Sequence, residues 1–164
     1  MRRYFLRFLA ALAGVLGACL SSTGPRVVTD DELVLELIVP SDTVMSGGRF
    51  TLTVRLRNDG QVPMVLSGGW CLARHTIRLG GREVGFPATG SNLFCNGGTW
   101  RFTLEPGEES LSNLETIASL RAHVDLPAAF TVHTELFFDL TVNERTVRPN
   151  PKLRDTFFIG PGPP

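Results

Sequence analysis

Between positions 49 and 57 the chain alternates without a fault: Phe50, Leu52, Val54 and Leu56 are apolar, while Arg49, Thr51, Thr53, Arg55 and Arg57 are polar. Successive side chains of a strand point to opposite faces, so a period of two defines a strand with one dry face and one wet face. A strand cannot cover its own dry face. The rest of the chain must therefore build a second layer against it.

The same period recurs along the sequence. Leu33-Val34-Leu35-Glu36-Leu37-Ile38-Val39 is an apolar run stopped by Pro40, and Asn58-Asp59-Gly60 is a turn signal. Val62-Pro63-Met64-Val65-Leu66 reads as a strand whose proline marks an edge or an irregular start. Segments 72–79 and 82–86 flank Gly80-Gly81 as a tight hairpin, and Thr99-Trp100-Arg101-Phe102-Thr103-Leu104 alternates until Glu105-Pro106-Gly107. Phe130, Val132, Thr134, Leu136 and Phe138 share one side of a further strand, and Thr156-Phe157-Phe158-Ile159 is the last. Seven to eight short strands at hairpin spacing predict an all-β sandwich. One segment departs from the pattern: Ser112-Asn113-Leu114-Glu115 has the form of a capping box, with Leu114, Ile117, Ala118 and Arg121 at helical spacing. It predicts a short helix or turn over 114–122, with a strand over 108–116 as the competing reading.

The N-terminus carries an address. Arg2, Arg3 and Arg7 precede an apolar stretch over 8–20, which is 13 residues long and shorter than the about 20 needed to span a bilayer. Leu16-Gly17-Ala18-Cys19 closes it with small residues before a cysteine. This arrangement resembles a bacterial lipoprotein signal peptide. The resemblance implies cleavage before Cys19, a diacylglycerol thioether on its sulfur, and a mature chain held on a membrane outside the cytoplasm. Leu20 after the cysteine resembles the enterobacterial pattern for the outer membrane, facing the periplasm. The domain plan that follows is a signal peptide over 1–18, a lipidated tether over 19–30, a sandwich over 31–160 and a tail over 161–164.

Removing Arg2, Arg3 and Arg7 leaves 13 basic residues against 16 acidic ones, a net charge of about −3. No run of Lys or Arg remains, and the single lysine, Lys152, follows Pro151 in what reads as a loop. That argues against nucleic acid as a partner. Lipidation of Cys19 would leave Cys71 and Cys95 as an even pair, and an oxidising compartment favours a disulfide between them over buried free thiols. The loop it closes is rich in glycine and is the part most in need of a staple.

The order of Leu35-Glu36-Leu37, Val44-Met45-Ser46-Gly47-Gly48, the strand from Phe50 ending in Asn58, Val62-Pro63-Met64-Val65-Leu66, Leu104-Glu105-Pro106-Gly107-Glu108 and Leu126-Pro127-Ala128-Ala129-Phe130-Thr131-Val132 resembles the immunoglobulin-like sandwich of the BsuPI type. That family is named for an intracellular proteinase inhibitor of bacilli. The resemblance implies an immunoglobulin-like β-sandwich. The Cys71 to Cys95 loop, the segment after Asn143 and the export signal depart from the family pattern.

Candidate chemistry is sparse. Cys71, His75 and Cys95 offer thiolates and an imidazole of the kind that hold zinc or copper, so a periplasmic metal or small-ligand carrier is the alternative function, but their spacing fits no closed ligand set. No nucleophile elbow is present, and no cofactor or catalytic residue is expected. His123 and His133 read as surface or half-buried, and Trp70 and Trp100 as core or as cover for the disulfide. A binding surface is expected on the loop carrying Phe86, Thr89, Asn92 and Phe94, with the Arg49, Arg55 and Arg57 face as the fallback. The expected function is that of a non-catalytic, envelope-anchored interaction module, either an accessory subunit or a protease-directed binder.

Overall fold

A computed structural model describes residues 26–86, 95–120 and 124–162, apart from the side chains of Val28 and of residues 95–97. In chain order the strands are β1 (Arg26–Val28), β2 (Leu33–Ile38), β3 (Val44–Met45), β4 (Arg49–Asn58), β5 (Met64–Cys71), β6 (Ala73–Leu79) and β7 (Arg82–Glu83). They continue as β8 (Cys95–Leu104), β9 (Glu109–Ile117), β10 (Ala128–Leu136), β11 (Asp139–Val142), β12 (Arg145–Val147) and β13 (Lys152–Gly160). The described residues hold no helix.

One sheet runs β1-β2-β4-β9. The facing layer has two parts, β3-β13-β10-β6-β7 and β12-β11-β5-β8, joined where Phe137 N–H donates to Leu72 O at 2.8 Å. All pairings are antiparallel except that of β3 with β13. β2, β4 and β9 against β6, β10 and β13 have the A-B-E against C-F-G order of an immunoglobulin-like sandwich. The dry face read from the sequence is the inner face: Leu52, Val54 and Leu56 are fully buried. Phe50 of β4 meets Phe157 of β13 with ring centres 5.0 Å apart, and Phe157 meets Phe130 at 5.8 Å, so aromatic contacts bridge the two layers.

Asn58 closes β4 and is completely buried. Its Nδ2 donates to Val62 O at 2.8 Å and Leu104 O at 2.9 Å, and its Oδ1 accepts from Gly60 N–H at 2.9 Å. A buried amide must be satisfied in this way, and these bonds fix the turn into β5.

Several expectations change. The helix predicted over 114–122 is absent from the described residues of that span: 109–117 form β9, paired with β4 over its whole length. Ser110, Ser112, Leu114 and Thr116 turn inward between the exposed Glu109, Leu111, Asn113 and Glu115, which is the period of two of a strand. The described residues hold thirteen strands against the expected seven to eight, because the F–G connection carries the β11–β12 hairpin and short strands decorate the edges. Part of the span expected to be tether, Arg26–Val28, is β1 on the edge of β2. Pro63 falls just before β5, giving the irregular start, and β5 lies inside its sheet, not at an edge. Lys152 opens β13 instead of standing in a loop. The signal peptide and Cys19 lie outside the described residues.

Candidate functional site

Along β5 the inward positions are Met64, Leu66 and Gly68, so simple alternation would send Trp70 inward as well. It does not go there. The pairing of β5 with β8 shifts register between Gly69 and Cys71, and Trp70 takes a left-handed backbone with φ of 57°. The bulge flips the indole outward, leaving it 74% exposed. A bulky residue at positive φ costs on the order of 1–3 kcal/mol, and such strain concentrates at binding sites. The expectation that Trp70 lies in the core is therefore overturned, while Trp100 is buried as expected and stacks on Phe102 at 5.6 Å.

The two glycines shape the surface beside it. A Cβ on Gly68 would stand 2.6 Å from Trp100 Cζ2, so only glycine lets the buried ring lie on the backbone there. Gly69 has open space. A hollow of about 390 Å³ opens over the pair, lined by Gly68, Gly69, Phe137, Phe138, Asp139 and Arg148 among others. At its wall Arg148 donates to Asp139 through Nε at 2.7 Å and Nη2 at 2.9 Å. This fork holds the Asp139 carboxyl below its usual range and raises the guanidinium above its own. Phe137 is 37% exposed, and Arg74 lies over its ring at 5.6 Å. The site is thus an exposed aromatic residue next in sequence to Gly68-Gly69, over which opens the hollow with the Asp139–Arg148 pair at its wall.

The residues singled out from the sequence fall as follows. Phe86 is half-buried and packs edge-on against Phe50 at 5.7 Å and Phe130 at 5.8 Å, so it closes the core. Thr89, Asn92, Phe94 and His123 lie outside the described residues. The backbone ladder sets Cys71 directly opposite Cys95. His75 is on the inner side of β6, its Nδ1 2.8 Å from Thr134 Oγ1, and burial pushes its pKa down to about 4. That hydrogen bond occupies one ring nitrogen, and among the described residues no three His, Cys, Asp or Glu side chains are grouped to hold a metal. The Arg49, Arg55 and Arg57 face is largely neutralised. Arg55 pairs with Glu36 at 3.2 Å and lies 3.8 Å from Glu109, while Arg57 donates to Asp59 at 2.6 and 2.9 Å.

No protein-family model matches the chain, and no curated protein matches it significantly; the BsuPI resemblance has no such support. Solved structures do match at low identity. The FixG-related protein from Vibrio parahaemolyticus is 17% identical, with 80% of this chain and 98% of that one covered and a TM-score of 0.34. The ycdA protein of Bacillus subtilis, described as a lipoprotein, is 14% identical over 84% of this chain, which spans 39% of that protein, with a TM-score of 0.37. The seventh PapD-like domain of human CEP192 is 14% identical, covering 78% and 83%, with a TM-score of 0.32.

Proposed function

We propose that this chain is a non-catalytic lipoprotein of the cell envelope whose immunoglobulin-like domain binds a protein partner through the Trp70 tip. The exposed, strained indole carries the reading. An exposed tryptophan is the residue type that anchors protein interfaces, and Arg148 and Asp139, at the wall of the hollow over Gly68 and Gly69, supply polar groups for its rim. The lipobox ending in Cys19 supports attachment to the periplasmic side of the outer membrane. The register of Cys71 against Cys95 supports a disulfide that ties the bulge to β8, since directly opposed strand positions bring Cβ atoms within reach. In this reading the chain is an accessory subunit of a membrane assembly or a protease-directed binder.

Two measurements test this. A photo-crosslinking side chain at position 70 in intact cells should give a discrete protein adduct, and the same group at Thr146 should give none. Adducts of equal yield at both positions overturn the assignment of the tip. Wild-type protein should partition into detergent and Cys19→Ser should give an unlipidated form; recovery of the wild type in the aqueous phase overturns the anchor.

A further inference from the structure

The outer face of β6, β10 and β13 gathers cations that the sequence scatters. β6 contributes Arg74 and Arg78, β10 contributes His133, and β13 contributes Lys152 and Arg154, all at positions that alternate with the buried ones. The register sets His133 between Thr76 and Arg154, Glu135 between Arg74 and Lys152, and Thr131 opposite Arg78. Diagonal neighbours in a sheet lie about 7–8 Å apart, so His133 is ringed by four cationic side chains. Two carboxylates share the face: Glu135, 3.1 Å from Lys152 Nζ, and Glu83 opposite Arg78. Arg78 and Arg154 make no ion pair among the described residues. Between these side chains lies a hollow of about 280 Å³. Desolvation, and then the charges of Arg78 and Arg154, hold the His133 imidazole below its ordinary pKa.

The same face carries exposed apolar groups. Phe158 is the third outward position after Lys152 on β13 and is 53% exposed; Met45, opposite Gly160 on β3, is 47% exposed. Free phosphate has no use for an exposed phenyl ring and thioether at its margin, whereas a single strand of nucleic acid stacks bases on such a ring and is left as an outcome of the test. A membrane surface uses both, cations for anionic headgroups and apolar side chains for the acyl boundary. Six residues, 20–25, separate Cys19 from β1, and fully extended that link reaches about 25 Å. We propose that this face rests on the anionic phospholipid surface to which the lipid on Cys19 tethers the chain, a step that builds on the anchor reading above. The absence of a basic run in the sequence is therefore misleading, because a period of two on three strands assembles the patch in space.

Lys152 is the only lysine, so its acylation, resolved by peptide mass, reports this face alone. Lipidated protein is placed in phosphatidylcholine vesicles with and without phosphatidylglycerol. Phosphatidylglycerol should slow Lys152 acylation, high salt should reverse the effect, and Arg78→Ala/Arg154→Ala should weaken docking about 25-fold, at roughly five-fold per cation. The variant on the same vesicles experiences the same surface pH, so the contrast isolates docking. Equal rates with and without phosphatidylglycerol, or slowing retained in the variant, overturn the proposal. Slowing by an added single strand of DNA and not by lipid overturns the assignment to a membrane. If the exported protein proves to carry no lipid, the anchor reading fails by itself, and co-sedimentation of that protein with the two kinds of vesicle still decides the face.

Discussion

His75 and Thr134 face each other across β6 and β10 inside the sandwich, with Nδ1 2.8 Å from Oγ1, and the imidazole is kept neutral by burial. The folded-state pKa of about 4 lies below the ordinary 6.5, so the unfolded chain binds the proton first as pH falls. Stability should be complete above pH 6.5, fall between 6.5 and about 4, and level off below that as far as this group is concerned. The loss is on the order of 3 kcal/mol from a shift of this size. Urea unfolding across that window should show it in the wild type, and the His75→Leu/Thr134→Val double variant should lose that component of the pH dependence.

Trp70 combines strain with exposure, which gives it an unusual mutational signature. Trp70→Gly should relieve the left-handed backbone and raise stability by about 1 kcal/mol, while abolishing partner crosslinking at the tip. A residue that merely packed would lose stability on the same change. Thermal melts read beside the crosslinking yield separate the two outcomes.

The faces of β4 should respond unequally. Leu52→Ala empties a fully buried site and should cost about 2–4 kcal/mol. Thr53→Ala removes one exposed hydrogen bond, to Asn113 Oδ1 at 2.7 Å, and should cost about 1 kcal/mol or less. Denaturant midpoints of the two variants test the contrast.

Cys71 and Cys95 should yield a linked peptide pair under non-reducing digestion. Cys71→Ser should lower stability by about 3 kcal/mol, within the range for a staple closing a loop of this length. Quantitative alkylation of both thiols without reductant would contradict the pairing.

How much of this was legible depends on whether the pattern was local. The alternation of Phe50, Leu52, Val54 and Leu56 is written in consecutive residues, and both faces came out as read. β9 misled because Ser112-Asn113-Leu114-Glu115 satisfies a helical start as well as a strand, and only pairing with β4 decides between them. Trp70 misled because one register shift inverts the side a residue occupies, and nothing within Ser67-Gly68-Gly69-Trp70 states on which residue the bulge falls. The cationic face was invisible because Arg74 and Arg154 lie 80 positions apart and come to line one hollow only through the order of the strands.

β5 and β6 are one stretch of chain bent at Leu72, and Trp70 and Arg74 stand either side of that bend, only four residues apart. At about 3.3 Å per residue they are at most some 13 Å from each other, on a backbone paired through Cys71 with Cys95 and through Ala73 and Arg74 with Leu136 and Glu135. Whatever surface the arginines lie on therefore sets the bearing of the indole. A domain on a loose tether alone would point its tip in every direction, whereas contact at the tether and at the arginine face together would turn it into a sign that always faces the same way.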